Sequence, residues 1–295
     1  MKSCSKSEIR RCRPLLGTFV EIAARGKAIV DLERAINAAF AAVTEVHRLM
    51  SFHDSRSDVS RMNRDAFPKG VTVHPWTWEV MNAARNLARE SGGAFDVTVA
   101  PLLAGRNCLA APSCAPVRTA SWRDIFPRRN FEIFFRRRVI VDLGGIAKGF
   151  AVDRAVDVLK QNGAASGIVN AGGDIRVFGS TPRKVHLRDP KSPAQFSAIL
   201  SVRNRAIATS ATYFAPGALI DGQKRRSLTS SISVTVAARD CMTADALTKI
   251  VFALRKRAAG LLAQYHADAL LLERDGAPLW MFRSPCDTRD RTRFD

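Results

Sequence analysis

Residues 141–179, VDLGGIAKGFAVDRAVDVLKQNGAASGIVNAGGDIRVFG, set two glycine turns around one amphipathic helix, and few folds accommodate that order. The stretch reads as strand, glycine turn, helix, second glycine turn and strand, an arrangement that brings backbone N–H groups and a lysine to a phosphate. Ile146, Phe150, Ala151, Ala155, Val158 and Leu159 recur at helical spacing, while Asp142 and Lys148 flank the turn that opens the helix. Gly144 and Gly145 let a ligand approach the backbone closely, and Lys148, about one turn into the helix, meets an anion there. The second turn, Asn170-Ala171-Gly172-Gly173-Asp174, sets a carboxylate beside two glycines, a partner for the adenine or ribose edge of a nucleotide. Neither GxxxxGK(S/T) nor GxGxxG is present. A helix with an N-terminal glycine turn, packed on a sheet and binding nothing, therefore stands as the other reading of these residues.

The bulk properties narrow the class. A chain of 295 residues, 46% hydrophobic and 25% charged, buries an ample core as a globular protein. No apolar run approaches the roughly 18 residues of a membrane span. The net charge of +19 would suit nucleic acid, but the basic residues are scattered, and the only dense cluster is Arg136-Arg137-Arg138. No zinc-finger spacing or aromatic RNA-binding motif accompanies them, so no specific nucleic acid is expected, and attraction to small anions explains the charge more simply. The six cysteines form no CxxC pair; Cys108 and Cys114 bracket a loop and would bridge only under oxidising conditions. No apolar region precedes Cys4, and the run after Arg10-Arg11 contains Glu21, so neither a lipoprotein signal nor a twin-arginine signal is read, and the expected location is cytoplasmic.

Along the chain, residues 1–12 read as a flexible segment, and 13–24 as one strand around Gly17. Residues 27–49 carry Ile29, Leu32, Ile36, Ala39, Phe40, Val43 and Val46 on one helical face, and 51–57 form a polar loop. A second helix spans 76–91 and stops at Gly92-Gly93. Asp96 follows, to cap the next element or to accept from a nucleotide. A Pro-, Ala- and Cys-rich excursion covers 103–127, and 131–142 reads as a hairpin. Strands are expected at 185–189, 196–202, 206–210 and 231–237, and a last helix over 244–257. Residues 284–295 read as a disordered tail. Strands outnumber helices and pair around long amphipathic helices, which points to an α+β fold with an antiparallel or mixed sheet.

Several segments in this order resemble the FAD:protein FMN transferase (ApbE-like) family: RPLLGTFVEI at 13–22, MSFHDSRSDVSRMN at 50–63, GGAFDVTVAPL at 92–102, the central stretch, HLRDP at 186–190 and TADALTKIV at 243–251. The resemblance implies one two-lobed unit over 13–283 with the flavin nucleotide between the lobes. It places Leu16 and His53, where the family usually has Met and Tyr, against the flavin, together with Ala94, Phe95, Asp96, Asp142, Lys148 and Asp174. It also implies a magnesium ion held by Asp245, an oxygen side chain at the position of Thr248, a threonine one residue later, and a backbone carbonyl near Gly145. Here Lys249 stands in place of that threonine. A hard octahedral ion wants oxygen ligands, so either Lys249 turns away and water completes the shell, or its ammonium takes the ion's place. A second departure follows Ser210, where the family's histidine, assigned the role of base, is replaced by Ala218. Ala218 cannot move a proton, and His47, His74, His186 and His266 lie far off in sequence.

The implied reaction is Mg2+-dependent transfer of FMN from FAD to a threonine or serine hydroxyl of an acceptor flavoprotein, with release of AMP. Lys148 and Asp245 carry the chemistry, by charge neutralisation and by holding the ion. Water in place of the acceptor makes the protein an FAD pyrophosphatase, and loss of the base and a metal ligand makes it an FAD-binding protein without activity.

Overall fold

Alternation along five strands assigns successive residues to two different cores. In the computed structural model, which describes residues 7–111, 117, 119–192, 194–212, 217–228, 232–272, 278–284 and 293–294, Val234, Val236, Ala269 and Leu271 face a large core shared with the helices. Their neighbours Ala237, Leu270 and Leu272 face a smaller core on the other side of the same sheet. A period of two is what a sheet covered on both faces requires.

The elements run in chain order as β1 (Ser7–Leu15), β2 (Thr18–Gly26), α1 (Ile29–Met50), α2 (Asp58–Asp65), β3 (Val71–Thr72), α3 (Pro75–Glu90), α4 (Ala100–Ala104), β4 (Ile125–Pro127), β5 (Glu132–Phe135) and α5 (Ala147–Gln161). They continue as β6 (Ser166–Ala171), β7 (Asp174–Phe178), β8 (Arg183–Arg188), β9 (Phe196–Val202), β10 (Ala206–Ala211), β11 (Ile220–Asp221), β12 (Arg226–Ser227), β13 (Ser233–Ala238), α6 (Cys241–Leu254), α7 (Ala259–Gln264), β14 (Asp268–Leu272), β15 (Pro278–Phe282) and β16 (Arg293–Phe294). The main sheet has the order β1-β2-β6-β7-β10-β13-β14-β15, with neighbours antiparallel. Helices α1, α5 and α6 cover one face, and β8 and β9 cover part of the other. A small sheet β3-β5-β4, with α2 and α3, extends the same core on the helical side. The expected α+β fold with an antiparallel sheet and long amphipathic helices is the one found. No helix among the described residues is long and apolar enough to cross a membrane.

Five expectations are corrected. The single strand over 13–24 is a hairpin: Leu16 (φ 56°) and Gly17 (φ 69°) make a two-residue turn, and β1 begins at Ser7, so residues 7–12 are not a flexible segment. The charges that make this segment look unstructured belong to an edge strand, where Arg10 pairs with Glu21 at 3.3 Å and Arg11 reaches Glu33 on α1 at 2.9 Å. The expected strand at 141 is extended backbone outside any sheet. The Asn63 side chain on α2 accepts from the Val141 amide (2.8 Å) and donates to its carbonyl (3.0 Å), taking the part of a missing neighbour strand. The hairpin expected over 131–142 is instead β4 with β5, because the chain turns at residues 128–131. In the C-terminal tail, Arg293 and Phe294 pair with Ser201 and Leu200 of β9; residues 285–292 and 295, and Cys114, lie outside the described residues.

Candidate functional site

The start of α5 and the start of α6 meet because Gly149 has no side chain. A Cβ there would lie 2.2 Å from the Cys241 carbonyl oxygen. Asp153, one turn on, accepts from the Cys241 amide through both oxygens (2.9 and 3.0 Å) and from the Met242 amide (2.9 Å), and Arg176 holds it at 2.7 Å. Asp240 caps the same helix by accepting from the Thr243 amide at 2.8 Å. These contacts fix the first turn of α6, and with it Asp245, against the first turn of α5, and with it Lys148.

Four charged side chains result from that crossing. The Lys148 ammonium donates to Asp174 Oδ2 and lies 3.7 Å from Asp245 Oδ2. The Lys249 ammonium donates to Asp245 Oδ1 and, at 2.9 Å, to the Asp245 carbonyl. Asp245 also accepts from the Gly149 amide at 3.3 Å. Both carboxylates are buried, whereas Lys148 keeps 32% and Lys249 17% of its side chain exposed. Burial alone would raise Asp245, but Lys148 and Lys249 outweigh it and hold its carboxyl below the usual range. Burial disfavours the Lys148 ammonium, yet Asp174 and Asp245 reverse that and keep it charged. Asp174 is pushed up to about 6 by burial and by the charge of Asp245.

Lys148 and Lys249 both line a cavity of about 680 Å3, within the range that holds a nucleotide-sized ligand. Leu16, His53, Ala94, Phe95, Asp96, Asp142, Gly145 and Lys148 all line it, so eight residues named from the sequence converge from four separate segments. Asp174, Asp245 and Thr248 do not; they are buried behind its wall. Asp174, expected to meet a ribose or adenine edge, instead holds Lys148, because the turn Gly172-Gly173 (φ 62° and 102°) folds β7 back beside α5. Asp96 caps a helical turn, accepting from the Thr98 amide at 2.9 Å and the Trp122 amide at 3.4 Å, with burial raising its carboxyl. Burial likewise raises Asp142, against the amides of Gly144 and Leu143 and the nearby His53. Ala218 lines the cavity, and so does His47, which sequence distance had set apart from it.

The ion that the resemblance implies does not fit this donor set. Among the described residues no three His, Cys, Asp or Glu side chains gather. One carboxylate is on offer at the implied position, and its two oxygens face two ammoniums. Thr248 Oγ1 donates to the Asp245 carbonyl (2.7 Å) and is shared with Ser210 Oγ (2.7 Å). Ser210, Gly149 and Asp153 were missed in the sequence. A glycine inside a helix and a carboxylate among the apolar residues of α5 were the available signals for the last two.

The comparisons with known proteins place the chain among relatives. The ApbE family profile matches residues 16–271. The chain is 28% identical over 274 residues to the FAD:protein FMN transferase of Vibrio cholerae (84% of this chain, 82% of that one). It is 24% identical over 265 residues to one from Klebsiella pneumoniae (82% and 83%). The crystal structure of the ApbE protein of Thermotoga maritima superposes with a TM-score of 0.81 at 27% identity, covering 95% of this chain and 97% of that one. The flavin transferase ApbE of Vibrio cholerae, at 24% identity and a TM-score of 0.78, shares the fold. With the profile matched over most of the chain and the fold shared, this chain belongs to the ApbE family.

Proposed function

We propose that this protein transfers the FMN part of FAD to a threonine or serine hydroxyl of an acceptor protein and releases AMP. The observation that carries the reading is the pair of ammoniums, Lys148 and Lys249, at the Gly144-Gly145 end of a cavity large enough for a flavin nucleotide. Phosphoryl transfer needs little from a protein beyond charge neutralisation and in-line positioning. The acceptor Oγ attacks the FMN-side phosphorus, a P–O bond forms, and the bond from that phosphorus to the bridging oxygen breaks. The bridging oxygen leaves with AMP, and the hydroxyl proton passes to the AMP phosphate. Lys148 and the α5 N-terminus meet the charge on the pyrophosphate, Asp174 and Asp245 hold Lys148 in place, and Phe95 with the Leu16-Gly17 turn encloses the ring system.

Ala218 on the cavity wall favours a second reading, an FAD-binding protein without transfer activity, since no histidine occupies that position. The test incubates the purified protein with FAD and a peptide that carries a threonine among small residues. AMP together with flavin bound to the peptide is the expected result. AMP with unlabelled peptide would make the protein a pyrophosphatase, and FAD bound without AMP would make it the binder.

A further inference from the structure

We infer that Lys249 does in this chain the work that the family resemblance assigns to a magnesium ion, so that FAD is held without a bound metal. The inference rests on the proposed reading of the cavity and goes further, to how the pyrophosphate is neutralised. Lys249 follows Asp245 by four residues on α6, the spacing and order that best brings an ammonium onto a carboxylate. Its side chain does not turn away to solvent. The stem runs between α6 and the glycine turn, with Cε 3.7 Å from the point where a Cβ on Gly145 would sit. Lys249 therefore fills the space between Gly145 and Asp245, the two positions from which the resemblance draws metal ligands.

The side-chain oxygens of that implied site are already engaged. Asp245 Oδ1 accepts from Lys249, Asp245 Oδ2 accepts from the Gly149 amide and faces Lys148, and the Asp245 carbonyl accepts from both Lys249 and Thr248. Thr248 Oγ1 is shared with Ser210. Mg2+ demands near-octahedral oxygen coordination and gives up its waters reluctantly. It would have to displace an ammonium from its carboxylate and then remain beside that charge. An ammonium has three donors. Two of them are spent on Asp245, and the third is left for the cavity that Lys249 lines, where a phosphate oxygen is the matching acceptor. A strongly hydrated point charge on a flexible stem is suited to that task.

The decisive measurement is metal binding by the full-length protein after treatment with EDTA, using Mn2+ as the probe and its electron paramagnetic resonance signal as the readout. The wild type is expected to leave Mn2+ free at micromolar concentrations, and Lys249→Thr to bind one equivalent that Mg2+ displaces. Fluorescence titration with FAD supplies the second arm. Wild-type affinity is expected to be the same in EDTA and in Mg2+, and Lys249→Gln to weaken it roughly tenfold or more, the loss expected for a charge-assisted hydrogen bond. Tight Mn2+ binding by the wild type, or Lys249→Gln binding FAD as well as the wild type does, would overturn the inference. Failure of the wild type to bind FAD in either buffer would count against the proposed function instead, and the Mn2+ arm would still decide whether Lys249 excludes the metal.

Discussion

The two walls of the cavity are built on opposite plans. One wall is the crossing of α5 and α6, where a helix glycine, two backbone amides on Asp153 and four paired charges fix the geometry. The other is made largely of loops: the Leu16-Gly17 turn, residues 51–53 and residues 218–219, with exposed His47 and His53 and with Ala218 in its lining. The first wall is over-determined and offers cations; the second is loosely determined and offers little acid–base chemistry. An enzyme that neutralises a pyrophosphate needs the first kind of wall in place beforehand, while the second must admit an acceptor segment. The contrast teaches that charge placement, more than proton transfer, is what this fold holds fixed.

Lys148→Met strikes at the fixed wall and has the largest expected effect. It leaves Asp174 without its ammonium in a buried setting, which costs about 3 kcal/mol or more, and removes a cation from the cavity. The melting temperature falls, and FAD affinity falls by about two orders of magnitude. Wild-type FAD affinity in this variant would mean that the two walls do not divide the work as described.

A second test titrates the same wall. Asp174 has a carboxyl pushed up to about 6 in the folded protein, against an ordinary value of 3.8. Between those values the native state holds a proton that the unfolded state has released, so this contribution is complete below pH 3.8 and lost as pH rises through about 6. Chemical denaturation of the ligand-free protein should show Asp174 adding about 2 to 3 kcal/mol at pH 4 relative to pH 7.5. Asp174→Asn removes that share of the slope. An unchanged slope in the variant would show that the carboxylate stays ionised throughout.

How much of these walls the sequence revealed follows from where their information lies. The helix now known as α5 and the Gly144-Gly145 turn were legible, because apolar spacing and paired glycines are local signals. Lys148 is the second residue of that helix, nearer its start than the one turn expected. Its partner was not legible, since Asp174 reaches it only through the β6–β7 hairpin, and a carboxylate beside two glycines looks the same whether it meets a ligand or a lysine. The direction taken by Lys249 was undecidable from spacing alone, because it depends on how deeply Asp245 is buried and on what else holds it. The short polar helix α2 gave no periodic signal, yet its Asn63 replaces the strand expected at residue 141. The Leu16-Gly17 turn went unseen for a different reason: leucine seldom adopts positive φ, so nothing in the residue type announces a hairpin there.

Ala218→His sharpens the contrast from the loose wall. A histidine at position 218 can accept the acceptor's hydroxyl proton. Grafted without supporting contacts, it should recover only a fraction of the usual benefit of general base catalysis, about tenfold in AMP release. The rate should then fall with acidification more steeply than the wild type's, as the imidazole charges. Equal rates with and without the histidine would show that the acceptor hydroxyl reacts without a base in this cavity.

The smallest expected effect tests whether the loose wall stores strain. Leu16 lines the cavity at φ 56°, a conformation in which its Cβ crowds the backbone. Gly17 beside it adopts φ 69° at no such cost, and nothing lies within 4 Å of a Cβ placed on Gly17. Leu16→Gly relieves the strain at the price of a more flexible unfolded chain and a lost apolar contact, so its net effect on stability is within about 1 kcal/mol of zero. FAD affinity is the sharper readout, because the strain is worth keeping only if the leucine side chain is held against the ring system. A several-fold loss of FAD affinity with unchanged stability is expected. A loss of stability with unchanged affinity would assign Leu16 to the packing of the hairpin on α1 and leave the loose wall without a defined contact to the flavin.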